Sequence, residues 1–182
     1  SSSPAAEGAG TRMLWYPEKA AFRSGSVDGT QWDKDNIGRF SVAAGRNSRA
    51  SGDVAVALGF QNNADGNNTL ALGNSSIASG PGAIAIGQGA LASGFNATSI
   101  GFTSIASGLA SVSIGYGTKS KFDFSFVTGK FNDSTFTNSL FEIGNGTADN
   151  ARNNAVTVLT NGTTLITGPS ILPGTPANTP AS

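Results

Sequence analysis

Residues 39–122 read RFSVAAGRNSRASG, DVAVALGFQNNADG, NNTLALGNSSIASG, PGAIAIGQGALASG, FNATSIGFTSIASG and LASVSIGYGTKSKF, six consecutive copies of one fourteen-residue unit. A frayed seventh copy, DFSFVTGKFNDSTF, follows at 123–136. A short fixed period decides the architecture, because each copy can bury its apolar face only against the next. Gly45, Gly59, Gly73, Gly87, Gly101, Gly115 and Gly129 hold the seventh place of the unit, and Gly52, Gly66, Gly80, Gly94 and Gly108 hold the fourteenth. Two glycines about seven residues apart predict two short strands and two tight turns per coil. The unit is one rung of a β-solenoid.

Within the unit, branched residues stand at places four and six. Place four has Val42, Val56, Leu70, Ile84 and Val112; place six has Leu58, Leu72, Ile86, Ile100 and Ile114. Places three and five carry Ala55, Ala83, Ala97, Ala57, Ala71, Ala85, Ser99 and Ser113. Successive side chains of a strand point to opposite faces. A coil of fourteen residues is narrow, so the small residues fill its inside, joined by Ala50, Ala64, Ala78, Ala92 and Ala106 of the second strand. The branched ladder then points outward. Burying each such side chain gains about 1.5–3 kcal/mol, and a stacked stripe of them is too large to leave in water. Val56, Leu58, Leu70, Leu72, Ile84, Ile86, Ile100, Val112 and Ile114 are therefore the expected contact between identical chains.

The units SVAAGRNSRASG, LALGNSSIASG and AIAIGQGALASG resemble the head repeats of trimeric autotransporter adhesins, the YadA-like head. The resemblance implies an all-β fold: left-handed parallel β-rolls of fourteen-residue coils, packed as a homotrimer through the branched ladder and presenting adhesive surfaces. A left-handed hexapeptide helix, as in acyltransferases, needs about eighteen residues per turn over three faces, and the period excludes it. The flanking stretches resemble the lead-in and closing segments of Gram-negative surface and fibre proteins, including the mosaic adhesive trimers of predatory bacteria. Neither a neck motif nor the heptads of a coiled-coil stalk is found.

The 182 residues carry no net charge, only 12% are charged, and 25 are glycine. That composition suits one elongated solenoid better than a compact globule. It gives no reason to expect nucleic acid or an anionic membrane as partner. No run approaches a transmembrane span, so no membrane insertion by this segment is expected. The chain opens on Ser1 rather than Met and reads as part of a longer protein.

The expected divisions are a flexible lead-in (1–11), an N-terminal cap (12–38), the β-roll repeats (39–136), a closing β-hairpin segment (137–167) and a Pro-rich tail (168–182). The cap holds Trp15, Tyr16 and Trp32, including both tryptophans of the chain. They are read either as an aromatic patch for sugars or as a plug over the unpaired edges of the first coil. From Phe122 onward larger side chains crowd in, so the roll should widen or end there. AVTVL and TTLIT flank Asn161-Gly162, a strong hairpin signal.

Between Ala50 and Thr118 the only charges are Asp53 and Asp65. Phe60, Phe102 and Tyr116 stand at the eighth place, beside the turn. Ile77, Leu91 and Ile105 stack at the eleventh, pointing outward. These six are either a low-charge adhesive face or a contact with a neighbouring roll.

With neither His nor Cys, a Ser-His-Asp or Cys-His centre and the usual zinc ligands are impossible in one chain. Glu7, Glu18 and Glu142 are the only glutamates for a glycosidase-like carboxylate pair, and nothing marks a pair. No enzyme activity, cofactor or metal is expected. The expected function is adhesion or recognition of host or prey cells by a trimeric surface fibre, through a glycan or protein of the target cell. The alternative is a structural spacer or shaft whose binding domain lies elsewhere. The expected location is extracellular, at the surface of a Gram-negative bacterium or on a secreted fibre.

Overall fold

A computed structural model of the chain describes residues 6–167. The expected Pro-rich tail at 168–182 lies outside the described residues. The chain enters as an antiparallel pair, β1 (Gly10–Tyr16) and β2 (Ala21–Val27). Long and short strands then alternate. They are β3 (Val42–Arg46) and β4 (Arg49–Ala50), β5 (Val56–Phe60) and β6 (Asn63–Ala64), β7 (Leu70–Asn74) and β8 (Ile77–Ala78). The next coils give β9 (Ile84–Gln88) and β10 (Leu91–Ala92), β11 (Thr98–Phe102) and β12 (Ile105–Ala106), β13 (Val112–Tyr116) and β14 (Lys119–Ser120). The chain leaves through β15 (Phe126–Lys130), β16 (Ser139–Asn145), β17 (Asn154–Leu159) and β18 (Thr164–Ile166). Among the described residues no helix is long and apolar enough to cross a membrane.

Two parallel sheets run along the roll. The long strands form one twelve-stranded sheet from β1 to β18; the short strands β4 to β14 form a six-stranded sheet. Coil stacks on coil without slip: Val42 pairs with Val56, Val56 with Leu70, Leu70 with Ile84 and Ile84 with Thr98. The inside is a column of alanines, Ala43, Ala57, Ala71, Ala85, Ala50, Ala64, Ala78 and Ala92 among them, all fully buried. A one-residue slip would push every branched side chain into that narrow space, so side-chain volume alone fixes the register.

Place ten is a further part of the interior and is polar in every coil but one: Ser48, Asn62, Ser76, Ser104, Thr118 and Asn132 are all fully buried, as is Ala90 in the fourth coil. Ser104 and Thr118 pair within their own coils, with Ser99 and Ser113, and the first three reach the next coil. Ser48 Oγ donates to Gly59 O (3.1 Å), Asn62 Nδ2 to Gly73 O (2.7 Å) and Ser76 Oγ to Gly87 O (3.0 Å). Each satisfies a carbonyl at the seventh-place glycine.

The glycines do a different job from the one read off the sequence. The turns proper lie at places two and nine, and most of their left-handed residues are not glycine: Val54 (φ 57°), Asn68 (58°), Gln61 (55°) and Thr103 (48°). Stacking holds these conformations, since the turn N–H groups continue the ladder: Val54 N–H to Arg39 O at 2.7 Å and Gln61 N–H to Arg46 O at 2.8 Å. Seventh-place glycines instead sit inside the long strands, where the coils approach most closely.

Both ends of the interior are closed by an ionisable side chain. At the entrance Arg23, fully buried, donates to Phe22 O (2.8 Å), Ser41 O (3.0 Å), Ser41 Oγ (2.8 Å) and Ala50 O (3.0 Å). Burial brings its guanidinium down to about 10, so it stays charged at neutral pH. Beyond β14 the short sheet stops and only the long sheet continues, so the roll ends there, as the crowded phenylalanines imply. Glu142 takes the interior place there. It accepts from Ser139 Oγ and Asn132 Nδ2, each at 2.5 Å. β17 and β18 close the sheet as an antiparallel hairpin around Asn161-Gly162.

Burial raises the Glu142 carboxyl above the usual range, against the opposing hydrogen bonds from Ser139, Asn132 and Asn154. A carboxyl raised in the folded state contributes stability that is fully present below its unfolded pKa and is lost as pH rises through its folded value. Stability from this site should therefore fall as pH rises through and above the ordinary glutamate range. In Glu142→Gln, chemical melts across that range should show a flatter pH profile and a gain at neutral pH. An unchanged slope would mean that Glu142 is not the titrating group.

Candidate functional site

The outer face of the long sheet carries the branched ladder, and it is longer than the repeat. The place-four row begins at Trp15 on β1 and passes through Phe22, Val42, Val56, Leu70, Ile84, Thr98, Val112, Phe126 and Phe141 to Val158 on β17. The place-six row runs from Met13 through Ser24, Ala44, Leu58, Leu72, Ile86, Ile100, Ile114, Thr128, Ile143 and Val156 to Ile166 on β18. The nine expected contact residues all lie in these two rows. They are half-buried by their own neighbours, apart from Leu58, which is exposed. At the ends Met13 is 78% exposed, Trp15 58% and Ile166 63%. One apolar face thus spans every strand of the sheet, cap and closing hairpin included.

Trp15, Tyr16 and Trp32 do not make one aromatic patch. Tyr16 and Trp32 are buried, and only Trp15 is exposed. Alternation along β1 puts Tyr16 inside with Leu14, while Trp15 points outward into the place-four row. Trp32 seals the first coil, its Nε1 donating to Ser48 O at 2.9 Å. The lead-in expected over 1–11 is also partly tied down: β1 begins at Gly10, and Gly8 N donates to Asp33 Oδ1 at 2.6 Å.

On the other side of the narrow coil, the short sheet stacks Ile77, Leu91 and Ile105 in direct register. Ile77 is exposed; the other two are half-buried. At the turn, the rings of Phe102 and Tyr116 stack at 4.7 Å and 9°, and Phe131 closes edge-on against Tyr116 at 5.1 Å. Phe60 stands apart, separated by Asn74 and Gln88 at the same place and packed under Arg46 at 5.7 Å. The candidate surface is therefore an aliphatic ladder beside a pair of stacked rings, with Phe60 nearer the entrance.

Apart from Asp53 and Asp65 in the second coil, charge lies toward the two ends. Near the entrance Asp28 pairs with Arg46 (3.0 Å), and its carboxyl is lowered by hydrogen bonds from Asn47 and Arg46. At the far end Asp149, bound by Lys119 (2.8 Å) and Arg152, is brought down to about 2 by those two partners. Among the described residues no group of three or more Asp or Glu is gathered as metal ligands would be.

Residues 37–62, 64–90 and 92–118 match the family model described as the YadA head domain repeat (2 copies), a little under half of the chain. Each match spans two coils. The stretch 37–118 thus matches YadA head repeats, and the long sheet carries the stacking beyond it in both directions, through β2 and through β15 and β16. A comparison with curated proteins finds no match.

Proposed function

We propose that this chain, with YadA head repeats over 37–118, is a non-enzymatic adhesive module of a trimeric fibre on a bacterial surface, facing other cells. The apolar face of the long sheet carries the trimer reading: an outward stripe running from Met13 and Trp15 to Val158 and Ile166 is one that water alone does not stabilise. Three copies packed on it would leave the short sheets and turns to face outward. Those outward parts are nearly free of charge between Ala50 and Thr118, so contact there would rest on apolar area, ring faces and amides. Charged residues would keep a plain spacer soluble more simply. The stacked rings Phe102 and Tyr116 and the ladder Ile77, Leu91 and Ile105 favour recognition over spacing.

Each contact is small, and three linked copies raise the effective concentration of the second and third. Attachment of the purified protein to target cells should depend on the trimer and change little with salt. Phe102→Ser and Leu91→Ser should each cut attachment about tenfold while leaving the melting temperature within a few degrees. Attachment that survives both changes moves recognition to another surface; a trimer that attaches to no cell is a shaft segment.

A further inference from the structure

Where the cap meets the roll, an open cleft of about 360 Å³ lies between the loop after β2 and the turns of the first two coils. Its wall is amide-rich: Gln31 and Asn36 from the cap loop, Asn47 and Arg49 from the first coil, Gln61 and Asn63 from the second. Four of these are held in place. Gln31 Oε1 accepts from Gly29 N (3.1 Å), and Asn36 Nδ2 donates to Thr30 O (2.7 Å). Asn47 is clamped on Asp28 through both ends of its amide, at 2.7 and 2.8 Å. Arg49 is bidentate to Asp65, through Nε at 3.1 Å and Nη2 at 2.8 Å. By contrast, the side-chain amides of Gln61 and Asn63 make no hydrogen bond among the described residues. Their donors and acceptors are open to whatever enters.

We propose that this cleft binds a neutral saccharide. The Arg49–Asp65 pair cancels its charge inside the wall, so neither an anion nor a cation is favoured. Each free amide offers one acceptor and two donors, the set that adjacent sugar hydroxyls or an N-acetyl group can answer together. The cleft lies within the size range of small-molecule sites, with room for one or two sugar rings. The wall is pre-organised, so little ordering opposes binding. The roll residues of the cleft stand at the turn and on the short sheet, away from the outer face of the long sheet. Trimer packing on that face leaves three clefts open. This surface is separate from the Phe102 and Leu91 surface and gives the fibre a second, sugar-reading contact.

The test titrates the full chain with methyl α-D-glucoside, methyl α-D-galactoside, methyl α-D-mannoside and N-acetylglucosamine at millimolar concentration, followed by backbone amide shifts. At least one sugar should shift amides of the cap loop and of the turns around Asn47 and Gln61, with no dependence on salt. Gln61→Ala and Asn63→Leu, which break no internal hydrogen bond, should each weaken that binding about tenfold, whereas Phe102→Ser should leave it unchanged. No shift with any of the four sugars overturns the proposal, as does full binding in both cleft variants. Shifts centred on Leu91 and Phe102 instead would overturn it while supporting the other surface, so the two readings fail separately.

Discussion

Ile86→Asp is expected to convert the protein into an unstable monomer. Ile86 sits in the middle of the place-six row, in register with Leu72 on one side and Ile100 on the other. In a single roll it is only half-buried, so an isolated chain would tolerate a carboxylate there at modest cost. The proposed trimer changes that arithmetic. Around its three-fold axis the substitution would place three carboxylates in one apolar layer, each without a cation. An unpaired buried charge neutralises or leaves, and breaking such an assembly costs several kcal/mol. Light scattering at neutral pH should report a trimer for the unaltered chain and a monomer for Ile86→Asp, with the melting transition lost or lowered by tens of degrees. Ile86→Val should keep the trimer, since removing one methylene costs only about 1 kcal/mol. A monodisperse monomer for the unaltered chain sinks the interface. A stable Ile86→Asp trimer would place the contact on another face.

The ends of that face show what the sequence could and could not say. Places four and six were legible because four of the seven coils carry Val, Leu or Ile at both, and periodicity turns one weak alternation into several agreeing ones. The cap and the closing hairpin have no period. Trp15 and Tyr16 therefore looked alike, two neighbouring aromatics, although alternation along one strand sends them to opposite sides. Trp15 could be assigned to the place-four row only once β1 was paired with β2, and that pairing depends on the chain turning over Pro17–Lys19. The polar filling of place ten was visible in the sequence: Ser48, Asn62, Ser76, Ser104, Thr118 and Asn132 are polar at one fixed position, with Ala90 the one exception. The signal was a place too polar for an apolar core and too regular for a surface, which is what a buried hydrogen-bonding column requires. The cleft had no such signal. It joins Gln31 and Asn36 to Gln61 and Asn63 across a loop whose path no spacing rule supplies.

The glycines are where reading and structure part most usefully, and one pair of variants separates their two roles. Gly87 and Gly89 are two residues apart, and both have positive φ, 135° and 65°. Were backbone conformation the whole reason for glycine, both would be equally hard to replace. Their surroundings differ. A Cβ on Gly87 would lie 2.0 Å from the carbonyl oxygen of Gly101 and 2.8 Å from its carbon, both backbone atoms of the next coil. A Cβ on Gly89 would meet nothing nearer than Thr103 Cγ2 at 3.5 Å. Other coils carry Asn47, Gln61, Ser75 and Thr103 at the place of Gly89, with φ between 48° and 55°. Gly87→Ala cannot be relieved by a rotamer change, because both clashing groups belong to stacked backbones; the coils must separate and lose ladder hydrogen bonds. It should cost about 3 kcal/mol or more, in the range of strained backbone and disrupted packing. Gly89→Asn should lie within about 0.5 kcal/mol of the unaltered chain, because Asn accepts the left-handed region and narrows the unfolded ensemble. Chemical denaturation of the two variants side by side measures the difference. Equal losses would show that the left-handed backbone alone selects glycine. A large loss for Gly87→Ala beside a small one for Gly89→Asn identifies the seventh-place glycine as the point where coil-to-coil distance is set.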